Sequence, residues 1–330
     1  MNENQKPVAV YTDMDDTDFQ SGVRLLEDAG FEVRYLGTRN TERIIAASQD
    51  AEVLLLGYAE APRSLIEALP KLKLIALMSM GFNNVDIEAA NEHGVWVTNV
   101  PGAATEEVAT HALALLLAAV RQLSFYTAHA VADAEQWNAR APLAPVRLSE
   151  KTLGVVGLGR IGKAFAAIAG PLFQRVVGYD PYLPDTDETR AELARYGIER
   201  KSLADLQSGA DVLSLHVPLT DENEGMINRA FIAELPDGAI IVNVSRGGLI
   251  DSQDARDALD AGKLTALALD VLDEEPPAAD HPLLSHDRVV LTPHIAYYSN
   301  RTDAEYVRIQ AENATSWLAT GSPKNPVNTP

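Results

Sequence analysis

The 330-residue sequence contains no cysteine. That absence removes disulfides, thiolate metal ligands and a cysteine nucleophile together, and it fits a reducing compartment, so a cytoplasmic location is expected. Basic residues are scarce beside acidic ones: 27 Lys and Arg against 47 Asp and Glu leave a formal charge of -20. A surface of that sign repels phosphate backbones and anionic lipid, so neither nucleic acid nor membrane is an expected partner, and the charge is read as serving solubility. Long apolar runs are missing too. The most apolar stretch, 112–120, falls far short of the roughly 20 residues a bilayer-spanning helix needs. Residues 1–7 are polar and lead straight into a strand-like segment, so no signal peptide is expected. What is present is ordinary for a globular chain, 46% apolar and 22% charged, and the length suits two domains.

From residue 8 to about 100, short apolar runs alternate with amphipathic segments, the rhythm of a parallel sheet covered by helices. The strand candidates are 8–11, 31–35, 53–56, 72–77 and 95–98; segments 19–28 and 63–69 read as helices. A long helix is expected from about Glu106, with Leu113, Leu116, Leu117 and Val120 as its buried stripe. Residues 125–150 carry Trp137, Pro142 and Pro145 with weak periodicity, so they read as an irregular arm, packed either on a second subunit or around its own. At Thr152 the α/β rhythm restarts, with strand candidates 153–156, 175–179, 212–216, 239–244, 266–271 and 289–292. The tail 321–330 is too polar and proline-rich to fold by itself.

The first strand of that second set runs into Gly157-Leu158-Gly159-Arg160-Ile161-Gly162 and then a helix-like segment. Gly157 permits the tight turn, Gly159 lets backbone approach a pyrophosphate, and Gly162 lets the helix pack on the strand. The helix start, at Arg160 and Ile161, offers unpaired amides and a positive dipole end. The next strand ends at Asp180, about twenty residues on, where a carboxylate accepts hydrogen bonds from an adenosine ribose and repels a 2′-phosphate. NAD is therefore the expected cofactor rather than NADP.

In doubly wound sheets ligands lie beyond the carboxyl ends of the strands. Three such ends carry reactive side chains: Val244-Ser245-Arg246, Asp270 leading on to Glu275, and Pro293-His294. Another, His216-Val217-Pro218, either borders the adenosine pocket or is a plain loop. Together the first three ends offer an arginine, a glutamate and a histidine at one rim. The other five histidines, His93, His111, His129, His281 and His286, read as structural or solvated. Asp13, Asp15, Asp16 and Asp18 invite a metal reading, but a solvated loop explains them and no metal is expected.

At this point the sequence resembles the D-isomer-specific 2-hydroxyacid dehydrogenase family over nearly its whole length. The matching stretches include Met80-Gly81-Phe82-Asn83-Asn84-Val85-Asp86, Thr98-Asn99-Val100-Pro101, Thr105-Glu106-Glu107-Val108-Ala109, 157–162, His216-Val217-Pro218-Leu219-Thr220, 243–251, 269–276 and 291–294. The resemblance implies two doubly wound parallel-sheet domains. A Rossmann dinucleotide domain, 103–296, is inserted in a flavodoxin-like substrate domain, 1–102 plus 297–330. It implies hydride transfer between NAD(H) and a small D-2-hydroxy or 2-keto acid, with Arg246, Glu275 and His294 catalytic. Ser79, Met80 and Gly81 become the carboxylate-binding loop, and Thr105 joins the cofactor residues. Asp270 is expected at the nicotinamide end, a helix-capping role being the alternative. Tyr297 and Tyr298 either wall the pocket or simply pack. A homodimer through 103–150 is expected.

Departures narrow the activity. Phosphite-oxidising relatives carry lysine where Met80 stands, and formate-oxidising relatives carry glutamine where Glu275 stands. Asn223 replaces a threonine, leaving its amide to make the local phosphate contact. The segment 294–299, with Tyr297 in place of a tryptophan, is also similar to C-terminal-binding-protein corepressors, NAD-sensing scaffolds with little turnover. The complete Arg246, Glu275 and His294 set favours the enzyme.

Overall fold

Every named strand pairs with its neighbours in parallel, so each sheet places all its carboxyl ends on one edge. The computed structural model describes residues 6–14, 17–132, 137, 140–141, 143–284 and 286–330. The chain divides into two compact units: residues up to Ala103 together with Tyr298–Pro330, and Ala104–Tyr297.

The first unit begins with a strict alternation: β1 (Val8–Tyr11), α1 (Gln20–Ala29), β2 (Glu32–Tyr35), α2 (Thr41–Ala47), β3 (Val53–Leu56), α3 (Arg63–Ala68), β4 (Leu74–Leu77), α4 (Ile87–Glu92) and β5 (Trp96–Thr98). The strand order is β2-β1-β3-β4-β5, the flavodoxin-like arrangement. Its inner strands are apolar at every position because both faces are covered. Val8, Val10, Leu54 and Leu56 enter one core, while Ala9, Tyr11, Val53 and Leu55 enter the other. Helix starts follow readable chemistry: the Asn40 side chain accepts from Arg43 N–H at 2.9 Å and Asp86 accepts from Ala89 N–H at 2.8 Å.

The second unit holds α5 (Thr105–Arg121), α6 (Leu123–Ala132), β6 (Thr152–Val156), α7 (Arg160–Ala169), β7 (Arg175–Tyr179), α8 (Asp187–Ala194), β8 (Ile198–Arg200), α9 (Leu203–Gly209), β9 (Val212–Leu215), α10 (Arg229–Glu234), β10 (Ala239–Asn243), α11 (Ser252–Asp260), β11 (Leu264–Leu269) and β12 (Val289–Leu291). Its seven strands run β12-β11-β10-β9-β6-β7-β8, a Rossmann order with the chain reversing direction between β6 and β9. One face is filled by Val156, Leu213, Leu215, Ile241, Leu267 and Leu269. A final helix, α12 (Thr302–Thr320), returns to the first unit and packs on α1 and β4.

Three expectations are corrected. The buried stripe of α5 is Ala112, Leu115, Leu116, Ala119 and Val120; Leu113 and Leu117 are only partly covered. The start of the 125–150 arm is helical, since α6 runs to Ala132; apolar residues surround it, so it shows no periodic stripe. Pro142, and the His129 side chain, lie outside the described residues. Asp13 is no solvated loop residue: it is 3% exposed and accepts from Thr12 Oγ1 at 2.6 Å and Tyr58 N–H at 2.7 Å, with the Arg39 guanidinium at 3.2 Å. Asp15 and Asp16 lie outside the described residues. The tail agrees with its expectation, being held by backbone and side-chain bonds at β5: Asn328 accepts from Val97 N–H at 2.7 Å and donates to Val95 O at 2.9 Å, and Val327 N–H donates to Val97 O. It borrows an edge strand instead of folding alone.

Candidate active site

The glycine loop sits between β6 and α7, and each glycine is there for a different steric reason. Gly157 has φ +93°, and a Cβ on it would lie 2.4 Å from His216 O. A Cβ on Gly162 would lie 1.9 Å from Gly157 O, so no side chain fits where the helix crosses the strand end. A Cβ on Gly159 would meet no atom within 4 Å. The space beside Gly159 is open, which is the condition for a phosphate to touch backbone. Gly159, the N-cap of α7, has no capping side chain, and the N–H groups of Arg160 and Ile161 point along the helix start, where such groups lack helical acceptors. Asp180, just past β7, accepts from Leu158 N–H at 2.8 Å and from Tyr182 N–H at 2.9 Å. Its carboxylate therefore shapes the loop and retains lone pairs for a ribose. These features fit a dinucleotide, with Gly157 to Gly162 holding the pyrophosphate and Asp180 the adenosine ribose.

His216, Val217 and Pro218 follow β9. Val217 packs over Gly157, and the His216 ring meets Ser214 Oγ through Nε2 at 2.8 Å and Phe165 at 5.1 Å between centroids. Burial pushes the His216 pKa down to about 3, so this ring stays neutral and does no proton chemistry at neutral pH. Its buried Nδ1 has no hydrogen-bond partner. Asn223 accepts from Thr220 N–H and donates to Pro218 O, both at 2.8 Å, which shapes the turn. Thr105 opens α5.

At the end of β10 the buried Asn243 folds the chain back on itself. Its side chain accepts from Ser245 N–H at 3.0 Å and donates to Arg246 O at 2.8 Å, while Ser245 Oγ donates to Leu215 O. Val244 is buried beneath them. The next residue, Gly247, lies against the 272–273 backbone, where a Cβ would stand 1.8 Å from Leu272 C. That contact carries Arg246 to the loop holding Glu275. Desolvation weighs against the Arg246 charge and the Glu275 charge supports it. The guanidinium also donates to Ser245 O at 2.7 Å.

Glu275 bridges two elements. One carboxylate oxygen accepts from Leu272 N–H at 2.9 Å, and the other lies 2.6 Å from His294 Nδ1. Burial opposes its ionisation, but the bonds from His294 and Leu272, with the charges of His294 and Arg246, hold its carboxyl below the usual carboxylate range. His294 follows β12 in the left-handed region, at φ +52°, a conformation uncommon outside glycine. Its ring is 47% exposed, so Nε2 is the nitrogen free to meet a ligand while Nδ1 engages Glu275. β10 and β12 are separated only by β11, so Arg246 and His294 follow strands two places apart on one sheet edge.

Asp270 directly follows β11, at the same strand-end edge. It is 1% exposed, and its carboxylate accepts from Thr292 Oγ1 at 2.5 Å, Ile295 N–H at 3.0 Å and Ala296 N–H at 2.8 Å. It fixes the segment carrying His294, as a cap would, although no helix follows there. Asn243 and Thr292 were not singled out by sequence reasoning; their positions, last in β10 and two before the histidine, were the available signal. Tyr297 is partly buried and Tyr298 is 60% exposed.

In the other unit, Ser79, Met80 and Gly81 follow β4. Ser79 Oγ donates to Gly81 O at 2.6 Å and Asn99 donates to Met80 O at 2.7 Å, which presents a shaped loop. Among the described residues there is no group of three or more His, Asp or Glu suited to a metal, and no helix long and apolar enough to cross a membrane.

Residues 113–296 match the profile of the D-isomer specific 2-hydroxyacid dehydrogenase, NAD binding domain. The chain is 40% identical over 277 residues to a D-3-phosphoglycerate dehydrogenase from Mycobacterium leprae, covering 84% of this chain and 51% of that protein. It is 35% identical over 294 residues to a hydroxypyruvate reductase from Blautia hydrogenotrophica, covering 87% and 88%. The chain thus spans about half the length of the phosphoglycerate dehydrogenases it matches, but most of the reductase. Among solved structures, the D-lactate dehydrogenase from Aquifex aeolicus complexed with NAD and lactic acid superposes with a TM-score of 0.82 at 27% identity, covering 98% of this chain and 99% of that one.

Proposed function

The chain belongs to the D-isomer-specific 2-hydroxyacid dehydrogenase family, and on that premise we propose that it reduces a small 2-keto acid to the D-2-hydroxy acid, reversibly, with NADH. The observation that carries the reading is the 2.6 Å contact between His294 and Glu275 on the same sheet edge as the glycine loop and Arg246. When bound, NAD(H) supplies the hydride. His294 gives a proton to the C2 oxygen during reduction and takes it back during oxidation, with Glu275 stabilising the imidazolium. Arg246 polarises the C2 carbonyl and pairs with the substrate carboxylate. Ser79, Met80 and Gly81 are assigned to that carboxylate as well, and Tyr297 to the pocket wall. We assign 1–102 plus 297–330 as the substrate domain and 103–296 as the nucleotide domain. A homodimer through 103–150 is part of the reading, supported by exposed Leu123, Trp137 and Leu143 in that segment. So is a cytoplasmic location, supported by a cysteine-free composition.

A panel of glyoxylate, hydroxypyruvate, pyruvate and larger 2-keto acids, followed by NADH absorbance, is the direct test. Saturable turnover with at least one member is the expected result. Tight NADH binding without turnover on any member would favour the scaffold reading instead.

Cofactor choice has its own test. Asp180→Ala is expected to raise the NADPH-to-NADH ratio of kcat/KM by about tenfold or more, because one charge beside a 2′-phosphate is worth on the order of 1–4 kcal/mol. An unaltered ratio removes Asp180 from cofactor selection.

A further inference from the structure

The loop that carries His294 is held from behind by a second histidine. Helix α5 packs on β10, β11 and β12, and from it His111 places Nε2 at 2.9 Å from Thr292 Oγ1 and 3.5 Å from Asp270 Oδ1. The proton count fixes the direction of these bonds. Thr292 has one hydroxyl proton, and at 2.5 Å it goes to the Asp270 carboxylate, which can only accept. The Thr292 oxygen must then accept from His111, so the His111 ring carries its proton on Nε2. We infer that His111 is a positioning residue for the proposed proton transfer: it orients Thr292, Thr292 holds Asp270, and Asp270 sets the backbone of His294.

The last link in that chain is dense. Thr292 N–H donates to Leu269 O and His294 N–H to Asp270 O at 2.7 Å. Ile295 and Ala296 N–H both donate to the Asp270 carboxylate. His294 itself sits at φ +52°, a conformation that the surrounding bonds must impose. The ring on α5 comes from outside the strand-end loops, so it ties the loop to the body of the unit. Removing its donor frees the Thr292 hydroxyl to rotate, and Asp270 then loses its shortest bond. A side chain that acts only by filling space would be replaced equally well by any residue of similar size; one that acts through its proton would not.

This inference rests on the proposed reduction, but one arm of its test does not. His111→Leu and Thr292→Val are each expected to lower kcat about tenfold, with the KM values for NADH and keto acid little changed. His111→Gln, which keeps a donor at the end of a similar reach, is expected to recover most of the rate. The double variant should lose about as much as either single one, because both act in one chain. Independently of turnover, the downfield proton resonance of the His294–Glu275 bond, identified by its absence in His294→Ala, is expected to move or broaden in His111→Leu and to persist in His111→Gln. Should the wild-type chain reduce no keto acid, the functional reading fails and the resonance alone decides this one. Losses that multiply in the double variant, equal losses in the Leu and Gln variants, or an unmoved resonance in His111→Leu would overturn it.

Discussion

His294→Ala is expected to lower turnover by roughly a hundredfold to ten-thousandfold, the range ordinarily lost with a general acid-base group, while NADH affinity barely changes. The separation follows from the site's layout. The glycine loop and Asp180 lie at the ends of β6 and β7, whereas His294 follows β12, at the opposite side of the same sheet. Nothing in the phosphate or ribose contacts depends on the imidazole. Its loss also leaves Glu275 a buried-side acceptor with the Leu272 amide and the Arg246 charge for company, so the loop keeps its shape. Stopped-flow titration of NADH fluorescence beside steady-state rates checks both halves. Equal loss of binding and turnover would mean that His294 holds the structure of the pocket and not the proton.

The second large effect is steric. Gly247→Ala puts a methyl group 1.8 Å from Leu272 C and 2.3 Å from Asp273 N, and both are backbone atoms that cannot swing aside. Overpacking against backbone of this kind costs on the order of 3 kcal/mol or more. For a unit of this size that corresponds to a melting temperature lower by roughly 6–12 °C. Activity should fall further than stability, because the displaced loop carries Glu275 and the displaced turn carries Arg246. Gly209→Ala is the matched control: its Cβ would meet only the Arg175 guanidinium at 3.8 Å, and it closes a helix. Calorimetry should show that variant at or slightly above the wild-type transition. A Gly247→Ala protein that melts with wild type would show that the two loops are not in contact as described.

How much of this was legible in the sequence depends on the kind of signal each element carries. Val8–Tyr11, Val53–Leu56 and Arg175–Tyr179 were read with their bounds intact, because buried parallel strands are apolar at nearly every position and end abruptly. β8 was not read: its three residues, Ile198–Arg200, form an edge strand with one apolar side chain. α12 is also hidden from sequence reading, because its buried face is partly polar. Its buried face runs Tyr306, Val307, Gln310, Ala311, Asn313 and Ala314, so two amides interrupt what would otherwise be an apolar stripe. Those amides are satisfied by distant backbone, Gln310 donating to Leu56 O and Ala76 O and Asn313 to Asn99 O. A periodicity search cannot see a polar residue whose partner is two hundred residues away. The site shows the same division. Arg246, Glu275 and His294 stand out in the sequence because strand ends and motif order flag them. Asn243 and Thr292 carry no such flag, and His111 reads from the sequence only as structural or solvated, because their work is to hold other residues and that is visible only as geometry.

The central claim is that one sheet edge brings both donors to the same carbonyl group, the proton to its oxygen and the hydride to its carbon. Single turnover with NADH deuterated at both C4 positions tests it, read by mass spectrometry of the hydroxy acid. One deuterium at C2 of the D-isomer is expected from the wild-type protein, formed far more slowly by His294→Ala. A product without deuterium at C2, or equal rates from the two proteins, would contradict it.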